Sequence, residues 1–344
     1  MDFLPPFGVA RAHELMRIAA DLSKSGLGLT WPNPIVGAVI CDSAGNILAT
    51  GFHHGGPHAE INAITQLQNS LGKNLNGNEY LFITLEPCNH QGKTGPCTHA
   101  ILNAGIKNVV FSVADPNPTA SGGKEFLINN GINVYSGIEA DYCEDINKAW
   151  LHKIKNGRPY FVAKIAATID GKISAADGSS KWITGEEARK QVHLLRSQSD
   201  AILTSTKTVI ADNPSLNSHQ ISEHNPERII IGKTPIASES KILRDRGITH
   251  LLETNNLERL IEFCSEKNYN QVMVEAGAKL LTSLISADLI DEIHLYIAPK
   301  LLGMGKDFIS DLGITNISLA KSWKFTHQEF VGKDCLLVLN KEDA

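Results

Sequence analysis

Nowhere in this 344-residue chain does an apolar run reach the length needed to cross a bilayer, so no membrane-spanning role is expected. The opening residues, MDFLPPFGVARAHELM, lack a basic leader and break their apolar stretch at Pro5, Pro6 and Arg11, unlike a secretory signal. No dense Lys/Arg run is present and the formal charge is −5, so the electrostatic footprint of a nucleic-acid binder is missing. Cysteine is sparse: Cys41, Cys88, Cys97, Cys143, Cys264 and Cys335 are scattered over a chain long enough to bury a core without disulfide staples. A reducing, cytoplasmic setting is the expectation. A G-x-G-x-x-G behind a strand is also absent, which argues against a standard dinucleotide-binding fold.

What is present is ordinary globular composition, 42% hydrophobic and 20% charged, over a length that suits two domains rather than one. Residues 9–25 carry Ala12, Leu15, Met16, Ala19 and Leu22 at helical spacing and stop at Gly26, where a left-handed cap would fit. PIVGAVICD and ILATGFHH read as a hairpin. Helices HAEINAITQLQ, THAILNAG and KEFLINNG then alternate with strands EYLFITLEP, NVVFSVAD and INVYSG, an α/β pattern that predicts a largely parallel sheet covered by helices. A polar helix, ADYCEDINKAWLHKIKNG, ends at Gly157, and the boundary is placed there, giving domains over 1–150 and 158–344. Beyond it, strands DAILTS, RIIIGK, QVMVEAG and EIHLYIAP alternate with helices EEARKQVHLLRSQ, LERLIEFCSEK and KLLTSLIS. An antiparallel pair, FTHQEF and DCLLVLN, closes a mixed sheet.

The strongest chemical signal is His58-Ala59-Glu60, then Pro87-Cys88, then Cys97. A zinc deaminase needs one His and two Cys on the metal, a fourth position open to water, and a carboxylate that is not a ligand. The metal lowers the pKa of its water towards neutrality, and Glu60, at a helix start two residues past the ligand, is placed to move protons. An H-x-E triplet alone is weak, because a helix-start Glu also suits the helix dipole, and two cysteines alone could be buried apolar groups. Their joint placement carries the reading. A closed structural zinc site would want four ligands, and only three cluster here. Eight residues, Asn89 to Pro96, separate the cysteines where the usual signature has two, and they place His90 and Lys93 beside the metal.

Through NPIVGAV, GFHHGGPHAE, TLEPCNHQGKTGPC and ADPNP, then KIAATIDGKI, SKWIT, LLRSQSDAILTS, ADNPSL, VEAG and YIAPKLLG, nearly the whole chain resembles the bifunctional riboflavin-biosynthesis deaminase–reductases. The resemblance implies a cytidine-deaminase-like three-layer domain followed by a dihydrofolate-reductase-like mixed-sheet domain. The first would hydrolyse the 2-amino group of a diamino-hydroxy-pyrimidine bearing a phosphoribosylamino arm; the second would use NADPH to reduce that arm to ribityl. It also implies Zn2+ on His58, Cys88 and Cys97, Glu60 as proton carrier, and a pyrimidine pocket of Asn33, His53, His90, Lys93, Asp115 and Asn117. NADPH would meet Ala166, Trp182, Thr208, Asp212 and the run Gly277, Ala278, Lys279, Leu280, Leu281, Thr282 and Ser283. The reductase substrate would meet Lys164, Ser180, Arg196, Leu216, His219 and Glu275.

From the residues alone, QVMVEAG running into a helix offers free N–H groups at Gly277 for cofactor phosphates, or an ordinary strand-to-helix turn. Lys164, Asp170 and Asp212 are candidates for proton movement in the reductase, and Gly303 to Gly305 for a tight turn near the cofactor. His219 departs from the family, whose members generally carry Arg there. The expected partners are a small phosphorylated pyrimidine and further copies of the chain through the reductase domain, with neither nucleic acid nor membrane. The competing expectations are a nucleoside or transfer-RNA deaminase with an unrelated second domain, and a catalytically silent zinc-bearing scaffold.

Overall fold

The computed structural model describes residues 5–71, 75, 77–90, 95–219, 221 and 224–342, so Lys93 lies outside the described residues. The chain divides into two compact units, Met1–Asn156 and Gly157–Ala344. Among the described residues no helix is long and apolar enough to cross a membrane.

The first unit runs α1 (Val9–Ser23), β1 (Gly37–Cys41), β2 (Ile47–Phe52), α2 (Ala59–Leu71), β3 (Tyr80–Leu85), α3 (Cys97–Ala104), β4 (Asn108–Val113), α4 (Gly123–Asn129), β5 (Asn133–Ser136), α5 (Ala140–Ile146) and α6 (Lys148–Asn156). Its sheet has the order β2-β1-β3-β4-β5. β1 is antiparallel to both neighbours, and the sheet is parallel only from β3 to β5. Period-two alternation explains the layering. Ala38 and Ile40 of β1 face Ala63, Leu67 and Ile101 on one side, while Val39 and Cys41 face Leu15, Met16 and Trp150 on the other. Helices α2, α3 and α4 therefore cover one face and α1, α5 and α6 the other, making three layers.

Two local expectations are corrected. Gly26 is no left-handed cap: the chain continues from α1 into a 3-10 turn over Lys24–Gly26, and a Cβ at Gly26 would stand 2.9 Å from the His53 carbonyl oxygen. Close approach, rather than φ, demands the glycine. The helix predicted before Gly157 is two helices. The break is Asn147, whose buried amide donates to the Ile35 carbonyl at 2.6 Å and accepts the Ile35 N–H at 3.0 Å, tying the segment before β1 to the helical layer.

The second unit runs β6 (Tyr160–Thr168), β7 (Lys172–Ala175), α7 (Glu186–Ser197), β8 (Ala201–Ser205), α8 (Thr206–Asp212), β9 (Glu227–Ile231), α9 (Lys241–Arg244), β10 (Thr249–Leu252), α10 (Leu257–Glu266), β11 (Gln271–Val274), α11 (Ala278–Ser286), β12 (Glu292–Ala298), β13 (Gly305–Asp307), β14 (Trp323–Val331) and β15 (Asp334–Lys341). The main sheet has the order β10-β9-β8-β11-β6-β12-β15-β14, and only the β15 and β14 pairings are antiparallel. It is the mixed sheet that the alternating helices and closing hairpin implied. Ala188 and Val192 of α7 pack with Ile202 of β8, Met273 of β11, Tyr296 of β12, and Leu336 and Val338 of β15, the core on that face. β7 and β13 form a separate two-stranded ribbon too short to register as a pattern in the sequence.

Candidate functional site

In the first unit the predicted donors converge. His58 immediately precedes α2, Cys88 leaves β3 and Cys97 opens α3, so the positive ends of two helices face the cluster. The His and Cys donor atoms lie within 4.8 Å of one another. Nδ1 of His58 is 3.2 Å from Sγ of Cys97 and 3.6 Å from Sγ of Cys88. Tetrahedral zinc with ordinary Zn–S and Zn–N lengths separates its ligand atoms by about 3.5–3.8 Å, so the donor set fits that ion. Glycine fixes the Cys88 segment: a Cβ at Gly123 would come within 1.9 Å of the Pro87 carbonyl oxygen, so the start of α4 clamps the residue before the ligand.

The two thiols act on one another. A hydrogen bond from Cys97, helped by His58 and the Cys97 backbone N–H, brings Cys88 down to about 4 despite burial; the same bond and burial push Cys97 up. The hydrogen bond to Cys88 also raises His58. Glu60, in the first turn of α2, is 4% exposed, and burial raises its carboxyl above the usual range. The Cys88 and Cys97 thiols and the His58 ring all bear on that carboxyl, which stands beside the cluster without belonging to the donor set.

The pocket residues expected around this centre are partly assembled. The His53 ring packs edge-on against His58 at 5.6 Å, and its Nδ1 lies 3.2 Å from the Pro57 carbonyl oxygen, so Nδ1–H donates. Nε2 is then a lone-pair acceptor, buried and unpartnered within the protein, and burial lowers the ring's pKa and keeps it neutral. Asp115 is pushed up by burial, with Glu86 and Cys88 adding to the effect. Its Oδ1 accepts the Asn117 N–H at 2.8 Å, and the Asn117 oxygen accepts from the Thr119 hydroxyl at 2.8 Å, which leaves the Asn117 amide N–H groups for other partners. Asn33 and His90 are exposed on loops at the same unit's surface.

Sequence reasoning missed Glu86. This buried carboxylate accepts the Asp115 N–H at 3.2 Å and the Lys124 N–H at 2.9 Å, setting the loop that carries Asp115 and Asn117. Its only signal was a charged residue between an apolar strand and the Pro87-Cys88 pair.

In the second unit, a buried charge cluster gathers three of the expected substrate residues. Glu275, at the end of β11, accepts from Arg196 Nε at 2.5 Å and Nη2 at 3.0 Å, and lies 2.9 Å from Lys164 Nζ of β6. Burial alone would raise Glu275; Arg196 and Lys164 instead hold it well below the carboxylate range. Leu216 is buried in the core with φ 50, His219 is exposed on the same loop, and Ser180 is half-buried in the loop behind β7.

Of the expected cofactor residues, Thr208 and Gly277 stand together just past β8 and β11, at the carboxyl ends of the parallel strands, where open α/β sheets receive ligands. Gly277 caps α11 and donates to Thr208 Oγ1 at 3.3 Å, so the N–H groups available to a phosphate begin at Ala278. Added bulk at Gly277 would meet only Thr208, at 3.9 Å, so the cradle in front of the helix is open. Lys181 reaches the Asp212 carbonyl at 3.3 Å, and next to it Trp182, 64% exposed, carries Arg189 over its ring at 4.6 Å. Ala166 lies two residues along β6 from Lys164, hence on the same face. This donor set suits a nucleotide cofactor with phosphates at α11 and an aromatic surface at Trp182.

Asp170, a candidate for proton movement, holds a loop. Its carboxylate accepts the Thr168 hydroxyl at 2.6 Å, the Leu302 N–H at 3.2 Å and the Gly303 N–H at 2.7 Å, and those bonds lower it to about 2. It anchors the loop that contains Gly303 to Gly305. In that loop Gly303 has φ 67, and Gly305 passes so close to Ser174 O, 2.2 Å from a built Cβ, that no side chain fits.

Comparison with known proteins gives a consistent pattern. The model of the RibD C-terminal domain matches residues 159–337, and that of the cytidine and deoxycytidylate deaminase zinc-binding region matches residues 10–113. The riboflavin biosynthesis protein RibD of Mycobacterium tuberculosis is 38% identical over 95% of this chain and 96% of its own. That of Escherichia coli is 35% identical over 94% and 98%. The crystal structure of a diaminohydroxyphosphoribosylaminopyrimidine deaminase/5-amino-6-(5-phosphoribosylamino)uracil reductase from Thermotoga maritima superposes with a TM-score of 0.90 at 32% identity, covering 96% of this chain and 99% of that one. Acinetobacter baumannii RibD gives 0.88 at 33% identity, covering 97% and 99%.

Proposed function

The chain belongs to the RibD family of bifunctional riboflavin-biosynthesis deaminase–reductases, and from that membership we propose how its residues divide the two reactions. Residues 1–150 hydrolyse the amino group of the diaminopyrimidine that carries a phosphoribosylamino arm. Residues 158–344 then reduce the ribose arm of the product with NADPH to the ribityl compound. The observation that carries this reading is the cluster of His58, Cys88 and Cys97 with the buried, non-ligating Glu60 beside it.

Zinc held by those three residues supplies the Lewis acidity that makes water a nucleophile near neutral pH. Glu60, raised by burial, takes the proton of the attacking water and returns it to the leaving amine. His53 Nε2 accepts a hydrogen bond from the pyrimidine, Asn33, His90, Asp115 and Asn117 complete its pocket, and Lys93 meets the phosphate of the arm. A silent scaffold would need no carboxylate beside the metal. A nucleoside deaminase is tested against by the substrate: the zinc-loaded protein should release ammonia from the phosphoribosylamino-pyrimidine and none from cytidine or adenosine, and the reverse result overturns the reading.

In the reductase NADPH brings the hydride, and the protein binds and orients. The open N–H groups of Ala278, Lys279 and Leu280, with Thr208, hold cofactor phosphates, Leu281 to Ser283 being bonded or buried within the helix and its neighbours, and Ala166, Trp182 and Asp212 hold the rest of the cofactor. Lys164, Ser180, Arg196, Leu216, His219 and Glu275 enclose the substrate arm. Lys164 is assigned to proton delivery because it is the ammonium that shares Glu275 with Arg196, whereas Asp170 is occupied by the loop.

A second copy of the reductase unit is the expected partner. Phe325, 62% exposed, and Phe330, 86% exposed, continue on edge strand β14 the face lined by Leu337 and Leu339 of β15. Antiparallel association of two β14 edges would cover these rings, and sedimentation of a Phe330→Lys variant as a monomer would support it. The six cysteines, all unpaired, support a cytoplasmic location, and the net charge of −5 supports a small-molecule substrate over nucleic acid.

A further inference from the structure

In the reductase unit His219, placed above at the substrate arm, has an imidazole partner, His193, that neither the motifs nor the roles above use. His193 and Arg196 stand one turn apart on α7, and the His193 ring centroid lies 4.2 Å from that of His219 at a tilt of 41°. Arg196 Nη1 is 3.3 Å from His193 Nδ1. A guanidinium only donates, so Nδ1 accepts and His193 is neutral, with its proton on Nε2. The His219 ring is held in place by its backbone. Its φ is 48, its N–H donates to Asn217 Oδ1 at 3.3 Å, and Ser218 before it is fully buried and bonded to Asn225 at 2.9 Å.

Charge balance gives the pair a task. Lys164 and Arg196 contribute two positive charges and Glu275 one negative, so with neutral rings the cluster carries a single positive charge. A phosphate monoester brings about −1.5 to −2 at pH 7. We propose that His193 and His219 form a proton-accepting part of the phosphate pocket, the two rings taking up one proton between them from solvent when the phosphate of the reductase substrate binds. The inference rests on the assignment of Arg196, Lys164, Glu275 and His219 to that substrate.

The surroundings of both rings support it. His193 faces Arg196 on its own helix, His219 from the loop behind α8, Lys164 from β6 and Glu275 from the end of β11; His219 faces Arg196 and, behind α9, Asp245. Burial, then Arg196, brings His193 down to about 4, and the same two causes lower His219, so both are neutral in the free protein at pH 7. An arriving phosphate reverses the local field. Because the rings are in contact, one proton serves both and a second is repelled. An Arg at position 219 would carry a permanent charge and make the uptake unnecessary.

The test is binding calorimetry on the full chain, saturated with NADP+ so that no turnover occurs, with the deaminated phosphoribosyl substrate at pH 7.5 in two buffers of different ionisation enthalpy. Close to one proton should be taken up per substrate bound, and none with the dephosphorylated substrate. His219→Arg should abolish the uptake and bind about tenfold tighter at pH 8. His193→Gln should lose more than half of the uptake and bind about tenfold more weakly at pH 7, with NADP+ affinity unchanged as the check on folding. In turnover, KM should rise about tenfold per pH unit above neutrality while kcat holds. Full uptake persisting in both variants puts the proton on the phosphate itself and overturns the inference, leaving the substrate site in place. If Arg196→Gln leaves substrate affinity unchanged, the phosphate binds elsewhere, and both the assignment and the inference fall.

Discussion

Replacing Glu275 by Gln removes the one negative charge that Arg196 and Lys164 share. The side chain is 8% exposed, and those of Arg196 and Lys164 are 12% and 17% exposed, so water reaches none of the three freely. The amide keeps one acceptor oxygen but turns an N–H₂ donor towards cations that need acceptors, at positions now 2.9 and 3.0 Å from carboxylate oxygen. Breaking a buried pair by removing one partner costs about 3–5 kcal/mol, because the remaining charge stays desolvated. For a unit of this size each kcal/mol moves the midpoint by about 2–4 °C, so a fall of roughly 6–20 °C is expected in the transition that NADPH shifts upward, read by calorimetry on the full chain. The pH dependence has a definite sign. The folded-state pKa of Glu275 is depressed, so its contribution is fully present above the unfolded carboxylate value near 4.5 and is lost as pH falls through the folded one. Wild type and variant should differ by a constant amount from pH 5 to 7 and converge in stronger acid. A midpoint within about 2 °C of wild type at pH 7 would mean that the two cations are held by something other than Glu275, and the account of the cluster would be wrong.

Glu60→Gln should keep stoichiometric zinc by metal analysis while deamination falls by about 10²–10⁴, since the residue moves protons and is no ligand; loss of the metal would make it one. Cys88→Ser and Cys97→Ser should lose both zinc and ammonia release yet still oxidise NADPH when given deaminated substrate. Removing zinc with a chelator should have the same split effect, restored by adding the metal back. A fragment of residues 158–344 should bind NADPH and reduce the deaminated intermediate, because the second unit has its own core; a folded fragment that fails to bind NADPH would show that the site borrows from the first unit.

The metal centre was legible because its chemistry admits few residue types and the helix starts leave them at recognisable places. The alternation of strands and helices was legible because each strand carries a period-two or continuous apolar pattern. What escaped the sequence depends on long-range backbone approach and side-chain bonds. Nothing local shows that Asn147 reaches Ile35, that His53 crowds Gly26, or that Asp170 holds Leu302 and Gly303. Glu86 and His193 were passed over for the same reason: a single charged or aromatic polar residue just past a strand or within a helix has no pattern until its partners, Asp115 in one case and His219 in the other, are brought to it.

The central claim, one chain performing hydrolysis and then reduction on one pyrimidine, is tested most directly by giving zinc-loaded protein the diamino-phosphoribosylamino-pyrimidine and following ammonia and NADPH absorbance separately. Ammonia should appear with or without NADPH, and NADPH should be consumed one for one with ammonia, only after deamination begins and about 10²–10⁴-fold more slowly by Glu60→Gln. NADPH oxidation by the Glu60→Gln variant at the wild-type rate on the undeaminated substrate, or no ammonia from wild type, would contradict it.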